Sequence, residues 1–401
     1  MMTSRERVLT ALRHQEADRI PRDLGGTESS GMTACALSKL QNHLKLESEI
    51  KIFDPYQYVG YVGEDIRDRF RIDTFNLTMG PGKWVKAVNP FGFDALVPEK
   101  WREELDEKGG TVALGDNGQP VALRPAGSYY YDPVNPPLQD LTDSSELKQH
   151  KGVISSFDLP SFADEPESVL QKRAVETHAK GDCVVFNLCC HILAAGQLLR
   201  GYENFMVDLM TDEKMVRTLL DYLIEGYLLR IDRLAPLLRD SVDVVLLNDD
   251  LGTQNGPMLA LATYRELIKP YQKILFTHVK KKFGKPILFH SCGAVREFIP
   301  DLIDVGVDAL NPVQLSANGM DARALKHDFG NDMSFWGGGV DTQTVLNKST
   351  PSEVADSVRR NVEIFAPGGG FVFCQVHNIQ PDVPPENVVA MYKALDEYGG
   401  Y

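Results

Sequence analysis

The sequence contains no apolar run of about 18 residues, the length that a helix needs to cross a bilayer. Its first residues, MMTSRERVLTALRHQEADRIP, are charged almost from the start and lack the apolar core of a secretion signal. Cysteines are few, six among 401 residues, and their irregular spacing is not that of a disulfide framework. We therefore expect a cytoplasmic protein with free thiols and no membrane attachment.

The chain also has fewer basic than acidic residues. Lys and Arg total 42 against 56 Asp and Glu, which gives a net charge of −14. This balance disfavours nucleic acids, anionic membranes and polyanionic substrates as partners. Hydrophobic residues make up 43% and charged residues 24%, and this globular composition excludes disorder, collagen and coiled coil.

Short apolar runs alternate with longer amphipathic stretches through the second half of the chain. The runs cover residues 183–188, 242–247, 286–289, 307–310, 334–336 and 371–373. Such alternation predicts βα units with parallel strands. With one or two further strands near the N-terminus, where residues 20–24 are a candidate, the pattern favours an α/β fold of the (β/α)8 TIM-barrel type. A doubly wound open sheet is the alternative, and the absence of a glycine-rich dinucleotide fingerprint disfavours it.

The pattern changes between about residues 75 and 137, where aromatic residues, glycines and prolines crowd together. Alternating pieces at 111–114 and 121–123 flank Asp116-Asn117-Gly118, which predicts a β-hairpin. We interpret this region as a hairpin-rich cap inserted into a single barrel domain of residues 1–401. Its aromatic residues either wall a substrate or form the small core of the insertion; they are Trp84, Trp101 and residues 129–131.

A candidate metal site follows the run at 286–289. The active sites of parallel barrels lie at the C-terminal ends of the strands. His290 and Cys292 stand there two residues apart, and zinc takes nitrogen and sulfur ligands in tetrahedral geometry. In the alternative, His290 caps the next helix and Cys292 is a small buried side chain. A third ligand would come from Cys374 or His377, which follow the last run.

Other polar residues follow the remaining runs. Asp249 and Asp250 are candidates for catalysis, as a general base or as carboxylates that orient a substrate, although such a pair also caps turns. Cys189-Cys190-His191 is either a metal cluster or strand-end packing. The glycines at 337–339 favour a bare loop that a large planar ligand can approach, since no P-loop lysine accompanies them. The candidate substrate-binding residues are Asn248, Asn311, Gln314, Gly338 and Asp341.

Four segments resemble the uroporphyrinogen decarboxylase superfamily: RERVLTALRHQEADRIP, HSCG, WGGGVDTQ and HNIQPDVPPENVVAMYKAL. The resemblance extends along nearly the whole chain except the aromatic insertion. The superfamily contains cofactor-free decarboxylases and zinc-dependent methyltransferases that act with a corrinoid protein. The R-Q-A-G-R-Y motif of the decarboxylases is absent, since residues 21–27 are PRDLGGT, and the acidic chain suits an octacarboxylate poorly. The resemblance therefore implies the methyltransferase branch.

The resemblance also implies a ligand set for zinc. The methyltransferases use a His-x-Cys pair, which His290 and Cys292 match, together with a distant cysteine. Counted back from Pro381 and Pro384, the distant position falls on His377. The sequence thus departs from the family pattern, and His377 is the favoured third ligand, with Cys374 three residues earlier as the alternative.

The implied activity is methyl transfer between a small methylated substrate, such as an aryl methyl ether, and the cobalt of a corrinoid. The chain has no D-x-H-x-x-G run for binding cobalamin, so a separate corrinoid-binding protein would supply it. Transfer in either direction, and a homodimer, are compatible with the sequence. The alternative functions are a cofactor-independent decarboxylase and a non-catalytic barrel that binds a corrinoid or another small ligand.

Overall fold

A parallel sheet of seven strands forms the centre of the protein. The computed structural model describes residues 2–78, 80–87, 91–115, 117–157 and 164–401. Asp116 of the expected hairpin turn lies outside the described residues. Each strand pairs with the next along the chain, in the order Thr74–Leu77, Cys183–Asn187, Val244–Asn248, Ile287–His290, Ala309–Asn311, Ser334–Trp336 and Phe371–Val372.

An extended N-terminal segment joins the two outer strands of this sheet. The Asp23 amide donates a hydrogen bond to the Phe373 carbonyl (2.8 Å), and Arg22 and Phe373 form a parallel bridge. On the other side, the Asp73 amide donates to the Arg22 carbonyl (2.9 Å), just before the first strand of the sheet. This stretch around Arg22 and Asp23, called the closing segment below, therefore closes the curled sheet. The expected TIM-type α/β fold is confirmed.

Helices separate the strands and cover the outside of the sheet. The α-helices are Ser4–Ala11, Ala34–Leu44, Glu64–Phe70, Lys151–Ser155, Glu167–Lys180, Leu193–Arg200, Tyr202–Thr211, Glu213–Leu238, Leu261–Thr263, Lys269–Phe283, Ile299–Val305, Ala322–Phe329, Pro351–Phe365 and Pro385–Tyr398. Ser144–His150 and Arg296–Phe298 are 3₁₀-helices, and Tyr264–Ile268 is a π-helical turn. Within the described residues, none of these helices has the length and apolarity that crossing a bilayer demands.

Smaller antiparallel sheets accompany the barrel. Their strands are Met32–Thr33, Ile52–Asp54, Val59–Gly60, Trp84–Lys86, Leu96–Pro98, Arg102–Leu105, Thr111–Leu114, Pro120–Arg124 and Asp132–Pro133. Thr111–Leu114 pairs with Pro120–Arg124, which confirms the expected hairpin. Thr74–Leu77 belongs to the barrel sheet, so the antiparallel region between Trp84 and Pro133 begins after it rather than near residue 75.

A buried carboxylate fixes the closing segment in place. Asp73 has a fully buried side chain, and its oxygens pair with Arg7 (2.6 Å) and Arg19 (2.8 Å). The same carboxylate accepts the backbone N–H of Arg22 at 2.8 Å. One side chain thus joins the N-terminal helix, the closing segment and the first strand of the sheet.

We expect Asp73→Asn to lower the free energy of unfolding by about 3–5 kcal/mol, since it leaves two guanidinium groups without their buried partner. Denaturant unfolding followed by circular dichroism measures the change. Asp18→Asn is the matched control, because Asp18 also pairs with Arg7 but its side chain is 29% exposed. If the two variants lose equal stability, Asp73 does not hold the barrel closed.

Candidate metal centre and cavity

Three potential metal ligands converge at the C-terminal ends of the strands. His290 ends the strand Ile287–His290, Cys292 lies in the loop that follows it, and His377 follows the last strand of the sheet. One ligand atom from each lies within 4.8 Å of the others. The Cys292 Sγ is 3.4 Å from the His290 Nε2, and the two imidazole rings are 5.7 Å apart. The structure therefore brings together the His290, Cys292 and His377 that the sequence indicated.

The carboxamide of Asn311 sets the tautomer of His290. Its Nδ2 donates to the Trp336 carbonyl (3.0 Å), so its Oδ1 is the atom that faces His290 Nδ1 at 2.7 Å. Ser29 Oγ donates to the same oxygen (2.8 Å). An amide oxygen only accepts hydrogen bonds, so the proton of His290 resides on Nδ1. The lone pair of His290 Nε2 is consequently directed toward Cys292.

The carboxamide of Asn378 sets the tautomer of His377. Asn378 Oδ1 lies 2.6 Å from His377 Nδ1 and also accepts from Tyr130 Oη (3.0 Å) and Gln380 Nε2 (3.0 Å). The proton of His377 is therefore on Nδ1, and Nε2 is free for a metal. His377 has a left-handed backbone with φ of +60°, a conformation that costs energy in a non-glycine residue and is concentrated at functional sites.

The protonation of these ligands suits a metal. Burial, with a smaller contribution from His290, lowers the pKa of His377 to about 4, so this imidazole is neutral at physiological pH. Burial and the charge of Asp250 raise the pKa of the Cys292 thiol well above its usual value. Without a metal, the thiol therefore keeps its proton, whereas a bound cation would favour the thiolate.

The backbone near Cys292 requires glycine. Gly293 has a φ of +85°, and a Cβ there would lie 2.5 Å from the backbone carbon of Gly252 in the neighbouring strand-end loop. Gln314 Oε1 accepts the Gly293 amide at 2.8 Å. The glycine of the HSCG tetrad thus permits the close contact between two loops that places Cys292.

Cys374 lies away from the metal ligands. Its side chain is completely buried in the barrel interior, where Cys183, Leu288 and Trp336 belong to the same apolar cluster. Its sulfur is 4.0 Å from Asn311 Nδ2, and burial raises the pKa of its thiol well above the usual value. The geometry therefore favours His377 over Cys374 as the third ligand.

The two candidate catalytic aspartates point in different directions. Asp250 Oδ1 accepts the Cys292 amide (2.8 Å) and lies 3.8 Å from His290 Nε2, so Asp250 contacts the metal centre. Asp249 is buried, and its carboxylate accepts the amides of Ile192 and Ala194, both at 2.9 Å, at the start of the helix Leu193–Arg200. Burial raises the pKa of Asp249 to about 6, and these amide hydrogen bonds oppose the shift. Asp249 therefore caps a helix from a neighbouring loop.

The predicted substrate-binding residues differ in whether they line the cavity beside the metal centre. Asn248 lines the cavity and donates to Asn187 Oδ1 (3.3 Å), and Asn311 is fully buried behind His290. Asn311 and the other three do not line the cavity. Gln314 supports Gly293, a Cβ added at Gly338 would lie 3.3 Å from Val313, and Asp341 accepts the amides of residues 343 and 344.

A cavity of about 860 Å³ opens beside the metal centre, with His290, His377 and Asp250 in its lining. Its walls combine strand ends with the antiparallel region and carry aromatic side chains: Phe53, Tyr56, Tyr61, Phe75, Trp84, Tyr131, Phe157 and Phe186. Trp101 packs edge-on against Tyr56 and Tyr131 outside this lining. The aromatic residues of the insertion therefore contribute both to the cavity wall and to the insertion's own core.

Sequence reasoning did not identify several polar residues of the cavity. Glu28 lies in the loop after the closing segment, and its carboxylate accepts from Asn187 Nδ2 (3.0 Å) and Asn76 Nδ2 (3.5 Å). Asn76 and Asn187 belong to adjacent barrel strands near their C-terminal ends. An Asn within an otherwise apolar strand is the signal that could have revealed these two. For Glu28, the sequence offers none.

Comparisons with known proteins agree with this architecture. The family model described as uroporphyrinogen decarboxylase matches residues 185–398, which is more than half of the chain. The protein therefore belongs to the uroporphyrinogen decarboxylase family, and the family resemblance noted in the sequence is confirmed. None of the curated proteins is similar enough in sequence to match it.

One of the solved structures compared shares the fold at low sequence identity. A methyltransferase from Methanosarcina mazei superposes with a TM-score of 0.62 at 13% identity, over 99% of each chain. An endo-1,4-beta-xylanase from Caldicellulosiruptor owensensis reaches a TM-score of 0.29 at 13% identity, over 43% of this chain and 69% of its own. A family 39 glycoside hydrolase from Bacteroides cellulosilyticus WH2 reaches 0.30 at 13% identity, over 80% and 79%. At these identities, the first likeness establishes a common fold, and the two lower scores are too low to establish one.

We expect His377→Ala to weaken zinc binding by more than the roughly 10–100-fold that follows loss of an outer-shell partner. Cys374→Ala should leave zinc affinity nearly unchanged, because its sulfur faces the barrel interior. Competition with a chromophoric chelator measures both, and thermal melts confirm that each variant is folded. The opposite ranking would make Cys374 the ligand.

The two aspartates should respond differently to substitution. We expect Asp249→Ala to lower the free energy of unfolding by about 1–3 kcal/mol, because two backbone amides lose a buried charged acceptor. Asp250→Asn should leave stability within about 0.5 kcal/mol, since its side chain is 52% exposed, but should change metal affinity. Urea unfolding and chelator competition provide the two readouts. Equal stability losses would contradict the assignment of Asp249 as the helix cap.

Proposed function

We propose that the protein is a zinc-dependent methyltransferase that moves a methyl group between a small substrate and the cobalt of a separate corrinoid protein. The observation that carries this proposal is the convergence of His290, Cys292 and His377 at the mouth of a barrel of the uroporphyrinogen decarboxylase family. The likeness of fold to a methyltransferase from Methanosarcina mazei supports the same activity.

The residues present fit zinc. Two imidazoles and one thiol form a nitrogen and sulfur donor set of the kind that zinc prefers. Buried carboxamides hold both imidazoles with Nε2 toward the centre, as the outer-shell partners of metal-binding histidines do. Three protein ligands would leave a position on a bound zinc for substrate, as in catalytic rather than structural zinc sites.

The chain's own groups have distinct tasks in the proposed reaction. Asp250 holds the Cys292 loop through the Cys292 amide and adds negative charge beside His290. The aromatic walls of the cavity exclude water from a small substrate that approaches His290 and His377. A zinc ion at these ligands would supply Lewis acidity toward the heteroatom of a methylated donor, or would favour the thiolate of an acceptor.

The cavity favours this proposal over decarboxylation of a polycarboxylate. The carboxylates of Glu28 and Asp54 line it, and among the described residues neither forms an ion pair with a basic side chain. Negative groups that face an enclosed space repel further carboxylates. A substrate carboxylate placed beside Glu28 and Asp54 would therefore be repelled.

We expect one zinc per chain in protein purified without a histidine tag, measured by plasma emission spectrometry after dialysis. Zinc uptake by metal-free protein should release one proton more in the wild type than in Cys292→Ala, because the thiol is protonated until a metal binds. An indicator dye in weak buffer counts the protons. Less than a tenth of an equivalent of zinc, without uptake on addition, would refute the metal assignment.

We expect methyl transfer to require both zinc and a reduced corrinoid protein. An anaerobic assay follows the conversion of the Co(I) absorbance band to that of methyl–Co(III), with aryl methyl ethers, methylamines and methyl thiols as donors. Methyl–Co(III) with a thiol tests the reverse direction. Chelation should abolish transfer and added zinc should restore it. Absence of transfer with every donor and acceptor, with zinc bound, would favour a binding protein, and activity without corrinoid would indicate decarboxylase chemistry.

A further inference from the structure

Two carboxylates of the cavity have neutral partners only. Glu28 is held by the amides of Asn76 and Asn187. Asp54 accepts from the side chain of Gln57 (2.9 Å) and from backbone amides at residues 56 and 57. Within the described ranges, no Lys, Arg or His forms an ion pair with either carboxylate. Burial raises the pKa of Asp54 to about 6, and the charge of Glu28 contributes to the shift. Both residues line the cavity.

The basic side chains that line the same cavity have partners other than Glu28 and Asp54. Lys51 lies 3.7 Å from Glu49 and 5.9 Å from the centroid of the Trp84 ring. Arg173 pairs with Glu165 at 2.5 Å, and Arg233 pairs with Glu167 at 3.0 Å. The guanidinium of Arg230 donates to backbone carbonyls of residues 157, 188 and 189 at 3.1–3.3 Å. These cations therefore compensate other groups, and the charge of Glu28 and Asp54 is left to attract a ligand.

The orientation of Asn187 shows that Glu28 is held as an acceptor. Asn187 Oδ1 accepts the Cys189 amide (2.9 Å) and Asn248 Nδ2 (3.3 Å), so its Nδ2 must be the group that faces Glu28. One Glu28 oxygen is thus directed by a strong hydrogen bond, whereas the other has only the 3.5 Å contact with Asn76. The carboxylate retains unused lone pairs toward the cavity.

His191 provides an independent observation on the same cavity wall. Its side chain lines the cavity and is 7% exposed, and its Nε2 is buried without a hydrogen-bond partner. Burial lowers the pKa of His191 to about 4, while a hydrogen bond to the Asn248 carbonyl and the charge of Asp250 act in the opposite direction. A neutral imidazole that donates to a carbonyl has only a lone pair on its other nitrogen. The unsatisfied groups of the cavity are therefore acceptors.

We propose that this cavity binds a cationic amine, with its ammonium group at Glu28 and Asp54 between aromatic walls that include Tyr56 and Phe75. Ammonium groups supply hydrogen-bond donors without acceptors, and they bind favourably over aromatic faces. The site of amine binding stands on the cavity alone. That the amine is the methylated substrate rests on the proposed function.

The distance between Glu28 and the metal centre can be spanned by one small molecule. Asn187, which holds Glu28, and His290 lie at the ends of strands separated by a single strand, Val244–Asn248. Two strand spacings of about 4.8 Å place them about 10 Å apart. A methylated heteroatom near His290 and an ammonium group near Glu28 can therefore belong to the two ends of a substituted benzene ring.

The test compares two probes of the same shape and opposite charge. Isothermal titration calorimetry with the full-length, zinc-loaded chain measures the binding of 4-methoxyphenethylamine and of 4-methoxyphenylacetate. We expect the amine to bind at least tenfold more tightly than the acid. Equal affinity, or tighter binding of the acid, overturns the proposal, and this comparison uses only the wild-type protein.

Charge-neutralising variants locate the site. Glu28→Gln and Asp54→Asn should each weaken amine binding at least tenfold and leave binding of the acid unchanged or stronger. Glu47→Gln is the control, because Glu47 is exposed and does not line the cavity. Thermal melts verify that each variant is folded. If Glu28→Gln and Asp54→Asn affect amine binding no more than Glu47→Gln does, the ammonium site is not there.

The outcomes separate this inference from the proposed function. Selective binding of the amine without methyl transfer from any donor would support the cationic site and refute the methyltransferase. Methyl transfer that proceeds equally well from neutral, anionic and cationic donors, without selective binding of the amine, would support the methyltransferase and refute the cationic site.

Discussion

Closure of the barrel at Asp73 is the constraint on which the rest of the site depends. The segment around Arg22 contains buried charges rather than a run of apolar side chains, so apolar burial alone does not hold it between the first and last strands. The paired guanidinium groups of Arg7 and Arg19 make burial of the Asp73 charge tolerable. Because the segment is fixed, the loop that follows it carries Glu28 and Ser29 to the mouth of the barrel.

The closing segment is also connected to the metal ligands. Asp23 Oδ2 accepts the indole N–H of Trp336 at 2.6 Å, and the Trp336 carbonyl accepts the amide of Asn311. Asn311 in turn faces His290. A change in the closing segment would therefore reach the imidazole through a continuous series of buried hydrogen bonds.

Hydrophobic periodicity predicts the elements that bury apolar side chains and misses those that bury polar ones. The strand Ser334–Trp336 has the bounds that the pattern predicts. The sequence pattern places residues 75–77 in the insertion, because Asn76, which lines the cavity, interrupts the apolar character of this strand. The closing segment is only a candidate strand in the sequence, because buried Arg22 and Asp23 interrupt its apolar pattern. The polar residues of these two elements are buried against residues that are distant in the chain, and a single sequence does not reveal such contacts.

Site residues were predictable where chemistry restricts the residue type. The His-x-Cys pair alone leaves two interpretations open, and the family resemblance favours the metal ligand, whereas the adjacent aspartates match no such family motif. Successive residues at a strand end face opposite sides, so Asp250 reaches Cys292 while Asp249 reaches the start of a helix. The sequence therefore identifies the pair, but only the path of the chain assigns a role to each member.

Neutral carboxamides, rather than carboxylates, orient the functional groups of this site. Asn311 and Asn378 direct the two imidazoles, and Asn187 directs Glu28. A carboxylate could also accept the Nδ1–H of a histidine, but it would add negative charge to a centre that already contains Asp250 and the thiol of Cys292. With a divalent cation and a thiolate in place, one nearby carboxylate brings the local charge to zero. A further carboxylate would make the site net negative even with such a cation bound, whereas the amide oxygens set the tautomers of His290 and His377 without adding charge.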